Sequence, residues 1–358
     1  MPVTEAPVLV TGATGFVAAE IVKQLLEDGY TVRGTTRDVA KSEADGYLAA
    51  LSGAGERLEL VEADLENPGA FDAAVTGCEY VMHTASPFVL DVEDPQRDLV
   101  DPAVNGTRSV LESASRAGGV RRVVLTSSFA AISGAPKEGP WSEEDWNEVS
   151  SLDSGPYAYS KTMAERAAWD FMDDHDVVFD LVVINPTGVI GPSIVPRLNQ
   201  SHSLYVSATN GEIPGIIDLE FPIVDVRDVA RAHILAMENP NAAGRYLCSA
   251  ETRSMRQNFE LLKDAGFGDR YKLPSLPLDN AFGNVLVRLI TRFQPKGTRD
   301  FISRSLGRSF ELDTTKIRTE LGLEFRDVDQ TVIDTMTSLE SWGHLGKKIA
   351  VGAEPSRQ

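Results

Sequence analysis

Val8-Leu9-Val10-Thr11-Gly12-Ala13-Thr14-Gly15-Phe16-Val17-Ala18 is the stretch on which the reading of this chain turns. An apolar run leads into a small-residue turn with two glycines. Beyond it Phe16, Ala19, Ile21, Val22, Leu25 and Leu26 recur at helical spacing. The pattern predicts a strand over 8–11 and a helix over 15–28. Gly12 permits a tight turn, and Gly15 lets backbone approach a ligand at the helix N-terminus. There, N–H groups without partners and the helix dipole favour an anion such as a pyrophosphate. Glycine-rich turns after strands are often only structural. This one follows the first strand and opens a helix, with more strand–helix units behind it, and so points to a dinucleotide.

Outward from that stretch, apolar runs of strand length alternate with helical segments. Strands are predicted over 31–35, 58–61, 80–84, 122–127, 177–184 and 244–249. Helices are predicted over 95–117, 155–174, 225–237 and 330–342. Residues 136–154 form a loop rich in Gly, Pro, Trp and acids, and residues 276–308 read as irregular. Strand and helix in alternation specify an α/β fold with a parallel sheet covered on both faces.

The 358 residues are 42% hydrophobic, enough for a large core, and the net charge of −19 argues against a broad nucleic-acid-binding or anionic-membrane surface. Cys78 and Cys248 are far apart and in no metal-ligand spacing, and the five histidines make no His-Glu-x-x-His zinc motif. A metal is therefore not expected. Neither a signal peptide nor an apolar run of about 18 residues is read, so a cytoplasmic protein is expected, without nucleic-acid or membrane partners.

Two further motifs carry chemistry. In Tyr157-Ala158-Tyr159-Ser160-Lys161, Tyr157 and Lys161 are four apart and share one helix face, whereas Tyr159 points about 200° from Lys161. A nearby ammonium favours phenolate, which predicts a lowered pKa and a Tyr157 able to exchange a proton with a substrate oxygen. The apolar run Val123-Val124-Leu125-Thr126-Ser127-Ser128 ends in hydroxyls, at the end of a strand where ligands sit in open parallel sheets. A hydroxyl there can stabilise the developing charge of a carbonyl oxygen.

These motifs, in this order, resemble the extended short-chain dehydrogenase/reductase superfamily, within its dihydroflavonol reductase, cinnamoyl-CoA reductase and aldehyde (methylglyoxal) reductase branch. Also matching are His83-Thr84-Ala85-Ser86-Pro87-Phe88, Pro102-Ala103-Val104-Asn105-Gly106-Thr107, Ser160-Lys161-Thr162-Met163-Ala164-Glu165, Asn185-Pro186-Thr187 and the segment 225–233. The resemblance covers roughly residues 7–325. It implies a Rossmann-like doubly wound sheet with a smaller, discontinuous C-terminal substrate-binding domain. The division follows as residues 1–186, with 223–248 returning, for the dinucleotide; 187–222 and 249–345 for substrate; and 346–358 as a flexible tail. It makes Ser128, Tyr157 and Lys161 the catalytic set: Tyr157 protonates the carbonyl oxygen, Lys161 holds the nicotinamide ribose and tunes Tyr157, and Ser128 orients the carbonyl. Gly12, Ala13, Thr14, Gly15, Phe16 and Val17 would cradle the cofactor. Asp64 and Leu65 would meet its adenine, Thr84, Ala85 and Ser86 would line it, and Pro186 and Val189 would lie near the nicotinamide. His83 reads as a packed strand residue. Only 28 residues separate Ser128 from Tyr157, a shorter active-site loop than expected of plant members.

An NAD enzyme places an acid at the end of the second strand, about 20 residues after the glycines. Here the stretch is Thr35-Thr36-Arg37-Asp38-Val39-Ala40-Lys41. Arg37 can fork onto a 2′-phosphate with Lys41 adding charge, and a one-residue shift would make Asp38 the ribose acid. The family pattern sets Arg37 at the discriminating position, so NADP is expected, with NAD as the alternative. The expected activity is an NADPH-dependent reduction of an aldehyde or ketone by a monomer or homodimer. The alternatives are a sugar-nucleotide epimerase or dehydratase, a hydroxysteroid dehydrogenase, and a non-catalytic dinucleotide sensor. Phe88 and Phe129 are candidate substrate contacts, although packing explains them equally well.

Overall fold

The computed structural model describes residues 6–86, 92–213, 215–293, 299, 302–303 and 305–348. Its strands are β1 (Val8–Val10), β2 (Val32–Thr36), β3 (Leu58–Glu62), β4 (Tyr80–His83), β5 (Arg122–Thr126), β6 (Asp180–Pro186), β7 (Gly188–Ile190), β8 (Gly215–Ile217), β9 (Glu220–Asp225), β10 (Gly244–Cys248), β11 (Glu251–Ser254) and β12 (Leu276–Leu278). Seven of them form one sheet in the order β10-β6-β5-β4-β1-β2-β3, and every pairing in it is parallel. The strand order reverses between β1 and β4. In a doubly wound sheet the crevice outside the carboxyl ends of those two strands is the ligand site.

Both faces are covered, so the central strands are apolar throughout rather than alternating: Val8, Leu9, Val10, Val123 and Val124 are all fully buried. Ile21, Val22 and Leu25 of the Phe16–Glu27 helix pack with Val229, Ala232 and Ile234 of the Val226–Glu238 helix on one face. On the other, Val110, Leu111 and Ala114 of Asp101–Ala117 pack with Ala168 and Phe171 of Pro156–Asp174. Each Val, Leu, Ile or Phe among them contributes about 1.5–3 kcal/mol by its burial.

The remaining strands form a three-stranded sheet, β11-β9-β7, and a two-stranded one, β12-β8. The Met255–Asp264 and Val328–Ser341 helices share a separate core with them through Ile223, Phe259, Leu262, Val332 and Met336.

Three expectations change. The strand predicted over 177–184 is shifted to Asp180–Pro186, because Val178 is 73% exposed while Asn185 and Pro186 continue the pairing with β10. Residues 276–308 are not irregular throughout. They begin with β12 and the Ala281–Ile290 helix, whose N-terminus Asn280 caps by accepting from Gly283 N at 2.9 Å. Residues 95–117 are one continuous run, but its first turn, Gln96–Val100, is a π-helix. Most of the tail predicted over 346–358 lies outside the described residues.

Candidate functional site

The glycine turn is stitched to its neighbours on both sides. Gly12 N donates to Thr35 Oγ1 at 3.0 Å and Ala13 N to Thr35 O at 2.8 Å, fixing the turn against β2. Thr11 Oγ1 accepts from Thr84 N (3.1 Å) and Ala85 N (3.0 Å), which leaves its own proton for His83 Nδ1 at 2.9 Å. His83 can accept it because burial, reinforced by Lys161, pushes its pKa down to about 3 and keeps the ring neutral. Thr84 Oγ1 also donates to Thr11 O. The ends of β1, β2 and β4 are thereby locked into one rim.

Gly12 has φ +64°, and a Cβ there would meet the Ala85 Cβ at 3.1 Å. The Phe16–Glu27 helix starts from Gly15 with no side-chain cap and no acid in its first turn. Its N-terminal N–H groups and dipole are left for an anion that lies against backbone. Thr14 O accepts from Tyr47 OH at 3.3 Å, the Phe16 ring stands edge-on to His202 at 4.9 Å, and Val17 packs on the core. These residues fit a dinucleotide pyrophosphate.

Beyond β2 the sequence left Arg37 and Asp38 as competitors, and their surroundings differ. Asp38 Oδ1 accepts from Lys41 N at 2.9 Å as the N-cap of the Val39–Asp45 helix. Ser42 Oγ donates to Asp38 O and meets Thr36 Oγ1, both at 2.8 Å, so the turn is held internally. The Asp38 carboxylate is committed to the backbone. Arg37 and Lys41 are exposed, and neither side chain has a partner among the described residues.

At the other side of the crevice stand the hydroxyls and the amine. Ser128 follows β5, and its hydroxyl accepts from Ala130 N at 3.1 Å and hydrogen-bonds the Tyr157 hydroxyl. Tyr157 and Lys161 come from the first turns of the Pro156–Asp174 helix, with Lys161 Nζ 5.7 Å from the Tyr157 ring centroid. Lys161 Nζ donates to Ser86 Oγ at 2.8 Å, tying that helix to the end of β4.

The expected lowering of Tyr157 by the ammonium is not found. Burial pushes its pKa up to about 12, and the Ser128 hydroxyl only partly offsets this. Burial also brings Lys161 down to about 8. The ammonium donates to Ser86 and stands 5.7 Å from the Tyr157 ring centroid. Desolvation sets the direction of the shift and favours the neutral phenol.

Asp64 turns back on its own loop, its Oδ1 accepting from Glu66 N at 3.1 Å, and Leu65 packs on Gly106. Pro186 ends β6 and Val189 is a buried residue of β7. Phe129 is buried in a cluster with Ile132 and Leu247, its ring 6.5 Å from Trp141 and 6.0 Å from Phe310. Of the two readings left open for it, the packing one describes what the ring touches. Phe88 lies outside the described residues. Sequence reasoning missed Thr11, Thr35 and Ser127 as supports of this rim, since hydroxyls at strand ends usually serve turns. Among the described residues no group of three His, Cys, Asp or Glu could hold a metal, and no helix is long and apolar enough to cross a membrane.

The fold and this rim define a doubly wound dinucleotide-binding protein with a serine, a tyrosine and a lysine gathered at the sheet's carboxyl edge. The model of the NAD dependent epimerase/dehydratase family matches residues 8–247, and the chain belongs to that family, the extended short-chain dehydrogenases/reductases. It is 38% identical over 343 residues to cinnamoyl-CoA reductase 1 of Arabidopsis thaliana, covering 94% of this chain and 90% of that protein. To tetraketide alpha-pyrone reductase 1 of the same plant it is 36% identical over 351 residues, covering 96% and 98%. Gre2 of Candida albicans, solved in complex with NADPH, superposes with a TM-score of 0.78 at 33% identity, over 94% of this chain and 99% of that one.

Proposed function

We propose that this protein is an NADPH-dependent reductase of an aldehyde or ketone, with Tyr157 as proton donor. The observation that carries the reading is the hydrogen-bonded Ser128–Tyr157 pair with Lys161 on the same helix face, at the carboxyl edge of a dinucleotide-binding sheet. NADPH, when bound, supplies the hydride. A carbonyl oxygen lying between the Ser128 and Tyr157 hydroxyls receives a hydrogen bond from Ser128 that orients it. As negative charge develops on that oxygen, Tyr157 gives up its proton to it. The raised pKa of Tyr157 keeps the proton in place until then, which is the form an acid requires. Lys161 would oppose the charge left on the phenol and hold the cofactor's ribose, and the Gly12–Gly15 backbone would hold its pyrophosphate. Arg37 and Lys41 read the 2′-phosphate. That the relatives named above are reductases, and that Gre2 was solved with NADPH, supports the same reading.

A panel of aldehydes, ketones, β-keto esters, dihydroflavonols and hydroxycinnamoyl thioesters, followed at the cofactor's absorbance with NADPH and with NADH, tests it. Turnover of at least one carbonyl, faster with NADPH, is expected. If none is consumed while a UDP-sugar is epimerised, the reading fails in favour of an epimerase.

A further inference from the structure

Below the Ser128–Tyr157 pair lies a buried charge that the proposed chemistry does not use. Glu165 is one turn beyond Lys161 and two beyond Tyr157 on the same helix, and its side chain is fully inaccessible. Its Oε2 accepts from Ser127 Oγ and, at 2.7 Å, from Asn185 Nδ2. Its Oε1 accepts from Arg245 Nε. Arg245, in β10, also donates from Nη2 to Glu165 Oε2 at 3.4 Å and from Nη1 to Glu143 O (2.9 Å) and Asp145 O (2.6 Å), with its guanidinium 3.9 Å over the Trp146 ring. Asn185 Nδ2 also donates to Ser128 O at 3.3 Å. One carboxylate thus gathers the residue before Ser128, a bond to the Ser128 carbonyl, the helix of Tyr157 and Lys161, and the loop between Ser128 and Tyr157.

We infer that Glu165 is a positioning residue that fixes Ser128 through Ser127 and Asn185; the inference rests on the catalytic reading of Ser128. Stability alone explains the pair poorly, because packed apolar residues usually serve a buried site as well as an ion pair does. The donors here are aimed more narrowly than packing needs. Asn185 Oδ1 is buried without a partner, a cost the structure accepts. Turning that amide over would set its oxygen against both Glu165 and the Ser128 carbonyl. The carboxylate therefore sets the amide, and the amide holds the backbone that carries the Ser128 hydroxyl.

The test is a double-mutant cycle on the full chain, with NADPH and a carbonyl substrate the panel identifies, over wild type, Glu165→Gln, Ser128→Ala and the double variant. Glu165→Gln should lower kcat about tenfold or more, as misplacement of a reacting group does. KM, NADPH binding by fluorescence titration and near-ultraviolet circular dichroism should be unchanged. In the Ser128→Ala background the same substitution should cost less than about twofold, because the group it positions is gone. An unchanged kcat in Glu165→Gln, or a full multiplicative loss in the double variant, overturns the inference. Should Glu165→Gln not fold, Ser127→Ala replaces it in the cycle, since it removes one donor without stranding a charge. A Ser128→Ala enzyme at full rate would instead overturn the catalytic reading itself. A slow Ser128→Ala with a multiplicative cycle overturns only the role of Glu165.

Discussion

Arg37→Ala and Asp38→Ala should separate cleanly, one acting on the cofactor and the other on the fold. Arg37 is exposed and its side chain has no partner among the described residues, so its loss should change folding by no more than about 0.5 kcal/mol. Its effect should fall on the 2′-phosphate. Losing a charge-assisted hydrogen bond costs about 1.5–3 kcal/mol, which is about 10- to 150-fold in the Kd for NADPH. NADH, which has no 2′-phosphate, should bind within about twofold of wild type. Asp38 accepts from Lys41 N at 2.9 Å as a helix cap. Its removal should cost about 1 kcal/mol of stability and a few degrees of Tm, with the NADPH preference retained. Fluorescence titration with each cofactor and thermal unfolding of each variant read both effects. Equal losses for NADPH and NADH in Arg37→Ala would refute the role given to Arg37. So would an Asp38→Ala variant that loses NADH selectively, which would make Asp38 the ribose acid.

Three other outcomes follow from the same geometry. Tyr157→Phe should fold, bind NADPH and lose about 10²–10⁴-fold in kcat, whereas Tyr159→Phe should keep most of its rate; steady-state kinetics of the pair decide between them. Gly12→Ala forces an alanine to φ +64° with its Cβ 3.1 Å from that of Ala85, so thermal unfolding should show a loss of about 1–2 kcal/mol and titration a weaker NADPH complex. Lys161 is brought by burial from 10.5 to about 8, so the folded state disfavours its charge. That penalty is complete below about pH 8 and fades as pH rises toward 10.5. Lys161→Met, measured without cofactor, should therefore raise Tm at pH 7 while abolishing turnover. The gain, up to about 3 kcal/mol less the lost Ser86 bond, should shrink across that window.

What the sequence made legible was whatever is local and periodic. β1, the Gly12–Gly15 turn and the following helix are readable because one apolar run changes its period across a glycine turn, and the structure moves their ends by a residue or so. The same holds for Tyr157 and Lys161, whose spacing alone sets them on one face of a helix. The Ala281–Ile290 helix was not readable, because its apolar side chains do not mark its buried side: Phe282, Val285 and Leu289 are exposed while Gly283 and Val287 are buried. Tyr157 exposes a different limit. Spacing supplied the neighbouring ammonium but not the desolvation, and desolvation dominates the titration.

The Glu165–Arg245 pair was illegible for a third reason, the topology of the sheet. The two residues are 80 apart in the chain and meet only because β10 returns to lie beside β6, which brings Arg245 under the Pro156–Asp174 helix. As a stretch of sequence, Gly244-Arg245-Tyr246-Leu247-Cys248 is a strand with one charge in it, and such a charge ordinarily faces water. Here its guanidinium is buried and satisfied on three sides by Glu165, Glu143 O and Asp145 O. The outermost strand of the sheet thereby reaches the loop between Ser128 and Tyr157. A substitution in β10, distant in sequence from every catalytic candidate, is expected to be felt at Ser128 before it is felt at the glycine turn. Among the described residues the arginine bonds to Glu165 and to the loop between Ser128 and Tyr157, and to no residue of the glycine turn.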